Sequence, residues 1–223
     1  IFYIPTNDGD YYGIDPTIAK ALAGTLNVDM QLCMDYDNFN QMVYALQNDE
    51  IDIILSHISF SPGGTAYVKY SEPYLIGRAA IMLDEAQVIK LDITENPLGY
   101  LRNNPVKIGS SNDSKNIAMI QQNFPAAEVV VVDSSLEAAR MVASGELFGY
   151  MTDDINITAL YAQEPTLSLH TKVYVFEDVV NRICAAVAPE NDGLLQFVNG
   201  YITERTKLSL SDVEAISKEL YHY

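Results

Sequence analysis

The chain has 223 residues, with 13 Lys and Arg against 30 Asp and Glu for a net charge of −17. Hydrophobic residues at 48% and charged residues at 19% describe a globular chain, long enough for one large domain or two of about 100 residues each. The acidic excess excludes nucleic acid as a partner, because phosphate binding needs clustered Lys and Arg, and it disfavours anionic lipid while steering cations and zwitterions to the surface.

Ile1, Phe2, Tyr3 and Ile4 read as a strand with no charged-then-apolar leader before it, so the chain is expected to be cytosolic, already processed, or cut from something longer. Asp15 followed by Pro16 reads as a helix cap with proline at the first helical position, opening a helix to about Leu26. Val28, Met30, Leu32 and Met34 alternate with Asp29, Gln31 and Cys33, which predicts a strand with one buried face. Phe39, Met42, Val43 and Leu46 fall at i, i+3, i+4 and i+7 and predict a helix. The apolar run at 51–55 then reads as a central strand of a parallel sheet.

The alternation restarts with short strands at 106–109, 129–132 and 147–151. Between them lie a helix that Ser114 can cap, ending before Pro125, and a helix with Ser134 and Glu137 as a capping box, stopped at Gly145. Asp153 or Asp154 caps the next helix. A strand at 183–187 and two more helices follow, the last opened by a second box of Ser211 and Glu214. Two βαβ units with a strand–helix–helix tail make an α/β protein. No apolar run approaches the roughly 18 residues of a membrane span. Cys33 and Cys184, both inside apolar segments, read as buried free thiols, with a disulfide as the other reading. His57, His170 and His222 are too scattered to suggest a metal site.

Several of these positions resemble the type II periplasmic solute-binding proteins of family 3, the two-lobed Venus-flytrap domains. Gly13-Ile14-Asp15 resembles the family's glycine–apolar–aspartate before its first helix. Leu46 through Asp52 resembles its next element, and Ser61-Pro62-Gly63-Gly64 followed by Tyr70-Ser71-Glu72-Pro73-Tyr74 resembles its Thr-Pro-x-Arg and Phe-Ser-x-Pro-Tyr. Lys107-Ile108-Gly109, the segment from Glu137 to Asp153, and residues 185–190 extend the likeness over essentially the whole chain. The resemblance implies a two-lobed α/β fold, each lobe a mostly parallel sheet flanked by helices. Lobe 1 would be residues 1–80 plus 183–223 and lobe 2 the insertion 81–182, joined by two hinge strands. A small solute held between the lobes would close them, converting binding energy into hinge rotation.

The resemblance also places candidate ligand-binding residues. Tyr3, in Tyr3-Ile4-Pro5, matches an aromatic that stacks on the ligand, although the same residues can be the first strand before a short loop to Tyr11-Tyr12. Ser56, His57 and Ser59 fall at the end of the 51–55 strand, where ligands sit in open α/β sheets; plain turn residues and a buried histidine are the alternatives. Gly64 stands where the family's arginine clamps an amino acid's carboxylate with two charge-assisted hydrogen bonds. Lys20, Lys69 and Arg78 are the cations available before residue 80 to replace it, with a solvated surface arginine as the alternative for Arg78. Asp113-Ser114 stands where backbone N–H groups meet a ligand anion, or simply caps a helix. Asp153 matches the carboxylate that receives a ligand ammonium, and can also cap its helix.

Without the arginine and with the aspartate, the expected ligand is a small amine or amino-acid-like solute. The resemblance makes the chain an extracytoplasmic binding module at the periplasmic or extracellular face of the bacterial membrane. Its partner is either a membrane signalling protein in cis, such as a sensor kinase or diguanylate cyclase, or an ABC permease. No phosphate loop, metal triad or dinucleotide fingerprint is present, so no cofactor is expected. An enzyme on the same fold, with Ser59, His57 and Asp153 as a nucleophilic set, is the remote alternative, since nothing in the sequence orients the imidazole.

Overall fold

The computed structural model describes residues 2, 4–5, 11–36, 38–111, 114–205 and 207–221, with nothing described for the side chains of residues 4, 5, 114 and 221. In chain order the first elements are β1 (Ile4–Pro5), β2 (Tyr11–Tyr12), α1 (Ile14–Leu26), α2 (Phe39–Gln47), β3 (Ile53–Ile54) and β4 (Lys69–Tyr70). Next come β5 (Leu75–Asp84), α3 (Glu85–Lys90), α4 (Pro97–Asn103), β6 (Lys107–Ser110), α5 (Ser114–Asn123), β7 (Glu128–Val131), α6 (Ser135–Ala143), β8 (Gly149–Asp153) and α7 (Asp154–Gln163). The chain continues through β9 (Thr171–Ile183), β10 (Ala186–Val187), α8 (Asp192–Arg205) and α9 (Leu210–Tyr221). The chain forms two compact units, residues 1–76 with 181–220 and residues 77–180, so the boundary falls inside β5 and inside β9.

The second unit is a five-stranded sheet in the order β7-β6-β8-β5-β9. β6 runs parallel to β7 and to β8, and β8 runs antiparallel to β5. Side chains of a strand alternate between faces, and both faces are buried here. Ala80, Met82 and Tyr150 pack into one cluster with Ala138, Val142 and Leu160, while Ile81, Leu83 and Met151 pack into another with Leu101, Ile120 and Phe124. This three-layer arrangement explains the continuous apolar runs of its strands. The Ser134 hydroxyl accepts from the Glu137 N–H at 3.4 Å, the expected cap of α6. Gly145, in the left-handed region at φ 82°, turns the chain after that helix. Ser134→Ala is expected to cost about 1 kcal/mol, read as a lower urea midpoint with unchanged slope.

The first unit holds a sheet in the order β3-β10-β4, with β10 antiparallel to both neighbours. Val43, Leu46, Ile54, Ile58, Val68 and Ala186 form its core, so the apolar face of α2 lies where its spacing predicted. Separately, β1 pairs antiparallel with β2, Ile4 opposite Tyr12 and Pro5 opposite Tyr11, so Ile4 and Pro5 form a strand, while Tyr3 lies outside the described residues.

Five expectations are corrected. Residues 28–34 form no strand, and Val28 and Met34 are exposed: alternation marks a potential face but does not provide a pairing partner. β3 is an edge strand paired antiparallel among the described strands, not a central parallel one. Cys33, on the unpaired segment, is exposed, whereas Cys184 is buried; both are free thiols. The last capping box sits two residues earlier, with Ser209 accepting from the Asp212 N–H at 3.3 Å and Asp212 accepting from the Ser209 N–H at 2.8 Å. Asp15 is not the cap of α1; Gly13 holds that position and the Asp15 side chain is spent elsewhere.

Candidate functional site

Asp15 lies in the first turn of α1 and is 2% exposed. Its Oδ1 accepts the Tyr74 hydroxyl at 2.7 Å and its Oδ2 accepts the His57 backbone N–H at 2.8 Å. One carboxyl thereby ties three places together: the start of α1, the turn after β3, and the entry to β5. Burial pushes the Asp15 carboxyl up to about 6, against the lowering effect of the two hydrogen bonds. Burial, then the neighbouring carboxylate, pushes the Tyr74 phenol well above its ordinary value. His57 has φ 49°, a left-handed turn that a side chain rarely adopts, and its ring stacks on Phe2 at 3.6 Å between centroids. The Phe2 carbonyl accepts the Asp15 N–H at 3.0 Å. His57 is thus a turn residue held from both sides.

Ser56, His57 and Ser59 all lie on this turn and are half-buried. Ser59 bridges to Ile183 in antiparallel register, and the Phe60 N–H donates to the Arg182 carbonyl at 2.8 Å. The turn is therefore braced against the end of β9. Gly64 is buried in a 3-10 turn at Gly63–Ala66. A Cβ there would run into the Tyr70 hydroxyl and stand 3.0 Å from its Cζ. Tyr70 also packs edge-on against Phe60, with centroids 5.3 Å apart.

In the second unit, Asp153 ends β8 and caps α7, its Oδ1 accepting the Asn156 N–H at 2.7 Å. The Asn156 side chain in turn donates to Thr152 Oγ1 and Ser135 Oγ, and Tyr150 donates to the same Ser135 oxygen at 2.9 Å. A satisfied polar network thus fixes the turn that carries Asp153. Asp154 accepts the Arg78 backbone N–H at 2.8 Å. Burial raises its carboxyl above the ordinary value despite that bond. The Arg78 side chain is half-exposed and its Nε lies 3.0 Å from Glu177 on β9.

The structure thus brings Ser56, His57 and Ser59 together on one turn of the first unit and places Arg78 and Asp153 in the second. Ser114 opens α5, but its side chain, like Tyr3 and Asp113, lies outside the described residues. Sequence reasoning missed the role of Asp15 as the anchor of the His57 turn, and missed Glu177 as the partner of Arg78. An acid buried inside an apolar first turn, Ile14-Asp15-Pro16, was the available signal for the first; nothing local signalled the second. An apolar pocket of about 240 Å³ between α1 and α9, walled by Ile14, Ile18, Leu208, Ile216 and Leu220, contains none of the predicted site residues. Among the described residues, no group of three or more His, Cys, Asp or Glu could hold a metal ion. No described helix is long and apolar enough to cross a membrane.

A family model described as bacterial extracellular solute-binding proteins, family 3, matches residues 2–210. Among curated proteins, the sensor protein EvgS of Escherichia coli O157:H7 is 25% identical over 162 residues, which cover 73% of this chain but only 13% of that protein. Among solved structures, the ancestral cationic amino acid solute-binding protein AncCDT-1 superposes with a TM-score of 0.76 at 21% identity, covering 99% of this chain and 90% of that one. A second structure of AncCDT-1 is described as a precursor of cyclohexadienyl dehydratase. The amino acid ABC transporter substrate-binding protein AbpA of Streptococcus pneumoniae, bound to L-arginine, gives 0.72 at 15% identity, covering 99% and 88%. At these identities the structural likeness establishes the two-lobed solute-binding fold.

Proposed function

The chain belongs to the bacterial extracellular solute-binding proteins of family 3, and on that premise we propose that it is the ligand-sensing module of a membrane signalling protein, taking a small amine or amino-acid-like solute on the extracytoplasmic side. The observation that carries the sensing role is the alignment of 162 residues with a sensor protein. The expected gene continues beyond Tyr223 into a membrane-spanning helix and a cytoplasmic signalling domain. A gene that stops there beside permease genes would instead favour the solute receptor of an amino-acid-type ABC transporter, the reading that the likeness to AbpA supports.

The ligand-facing positions are Ser56, His57 and Ser59 in the first unit and Arg78, Ser114 and Asp153 in the second, with Gly64 as the place of the lost clamp. Asp153 would receive the ammonium, because a partly buried carboxylate favours a cation. Asp153→Asn tests this cleanly, since Asn caps a helix as well as Asp does. The variant is expected to bind a cationic solute more than tenfold more weakly while its ligand-free stability moves by less than about 0.5 kcal/mol. Thermal melts with and without solute read both quantities, saturating ligand adding about 2.7 kcal/mol at a hundredfold excess over Kd. Unchanged affinity would leave Asp153 as a cap only.

A further inference from the structure

β9 is an outer strand of the five-stranded sheet, with β5 on one edge and no described strand on the other. Near its end that outer edge is taken up, because the Arg182 carbonyl accepts the Phe60 N–H and Ile183 bridges to Ser59. Along residues 171–180 it is open among the described residues. An open edge is a row of unpaired backbone donors and acceptors that can recruit another strand, and proteins usually keep such edges short or charged. This one is long. Val175, 39% exposed, stands in its middle, with exposed Lys172 and exposed Asp178 at equal distances on either side. Among the described residues Asp178 has no ion-pair partner, and the charge of Lys172 meets only the Tyr174 ring, whose centroid is 5.8 Å from Nζ. Glu177, by contrast, is already engaged by Arg78 at 3.0 Å.

We infer that this edge pairs with the same edge of a second copy of the chain, antiparallel and centred on Val175, to form a reversible homodimer. A two-fold axis at Val175 sets Lys172 opposite the partner's Asp178 and, by symmetry, Asp178 opposite the partner's Lys172. It also sets Tyr174 opposite the partner's Phe176, and Val175 meets its own copy. Residues 172, 174, 176 and 178 alternate onto one face of the strand, so each side chain shares a face with the one it opposes. The same patch serves both copies, as a two-fold dimer requires. The order of charges selects a second copy over other strands, because it complements itself only when run antiparallel, and a strand with no carboxylate opposite Lys172 leaves that charge without a counterpart. The net charge of −17 on each copy opposes association, but at physiological salt the Debye length is about 8 Å, which screens distant charges more than those in contact. A single pair of strands buries less than the roughly 1,200 Å² of a stable complex, so the dimer belongs to the weak, reversible class. All of the paired residues belong to the second unit, and the pairing is independent of which solute the chain binds.

Sedimentation velocity of the whole chain at about 0.15 M salt, at concentrations up to about 1 mM, is expected to show a monomer–dimer equilibrium. Lys172→Asp sets Asp against Asp at both ends of the pairing, and Asp178→Lys sets Lys against Lys. Each single variant is expected to weaken the dimer about tenfold. An equimolar mixture of the two restores both opposite-charge pairs and has the mean net charge of the wild type. That mixture, and the double variant carrying both changes, are expected to associate as tightly as the wild type. Both residues are exposed, so the variants should melt with the wild type, which separates loss of pairing from loss of fold. A wild-type chain that stays monomeric at every concentration would overturn the inference. A dimer that either single variant leaves unchanged would place the interface elsewhere and overturn it too. A mixture no tighter than its two components would show that Lys172 and Asp178 do not oppose each other, with the same consequence.

Discussion

The stability advantage of the wild-type chain over an Asp15→Asn variant is expected to shrink by about 3 kcal/mol as the pH is raised from below 3.8 to above 6. The sign follows from burial. Folding raises the Asp15 carboxyl from its ordinary 3.8 to about 6, so between these values the folded state holds a proton that the unfolded state has released. The stability that Asp15 contributes is therefore complete below pH 3.8 and is lost progressively as the pH climbs through 6. Asn is uncharged and can still accept the His57 N–H, so the variant removes the titration while preserving the anchor of the turn. Asp154, raised in the same direction, remains in both proteins and cancels from the difference. Urea midpoints at pH 3.5, 5 and 7 measure it. A difference that is flat, or that grows with pH, would mean that the two hydrogen bonds outweigh burial.

Phe124→Ala is expected to be similarly damaging, at about 3–5 kcal/mol. Phe124 is 2% exposed and packs with Ile108, Ile120 and Leu101 on one face of the five-stranded sheet, its ring 6.4 Å from that of Phe176. Truncation removes its buried area and leaves a cavity between helices and strands already packed on both faces, which cannot collapse to fill it. Val131→Ala, 53% exposed at the end of β7, is the control and should stay within about 0.5 kcal/mol of the wild type. Equal losses in the two variants would show that the cluster around Phe124 is not a well-packed core.

Much of the second unit was legible because its signals are local. The Ser134 cap of α6, the stop at Gly145, and the cap of α7 by Asp153 each involve residues within one or two turns of each other, and the structure keeps all three, the first as the Ser134 half of the expected box. The α/β class followed from the alternation of apolar runs with helical spacings. The candidate site was legible only as positions. That Ser56, His57 and Ser59 share a turn follows from their adjacency after an apolar strand. That the turn is left-handed at His57, and is held from beneath by a carboxyl 42 residues earlier, does not.

The amino-acid sequence by itself determined which segments can be helices or strands, where several of the helices begin, and that the chain is an acidic α/β protein resembling the solute-binding kind. Tertiary structure alone decided which of those segments pair and what the charged side chains face. Residues 28–34 alternate as a strand should, yet have no strand partner among the described residues, because a ladder needs a second backbone that alternation does not supply. Asp15 meets Tyr74 across 59 residues, Arg78 meets Glu177, and the Tyr70 hydroxyl fills the space over Gly64. Caps and periodicities act over a turn or two of chain. The environment of a buried carboxyl or a missing side chain is set by whatever the fold carries to it, and no local pattern records that.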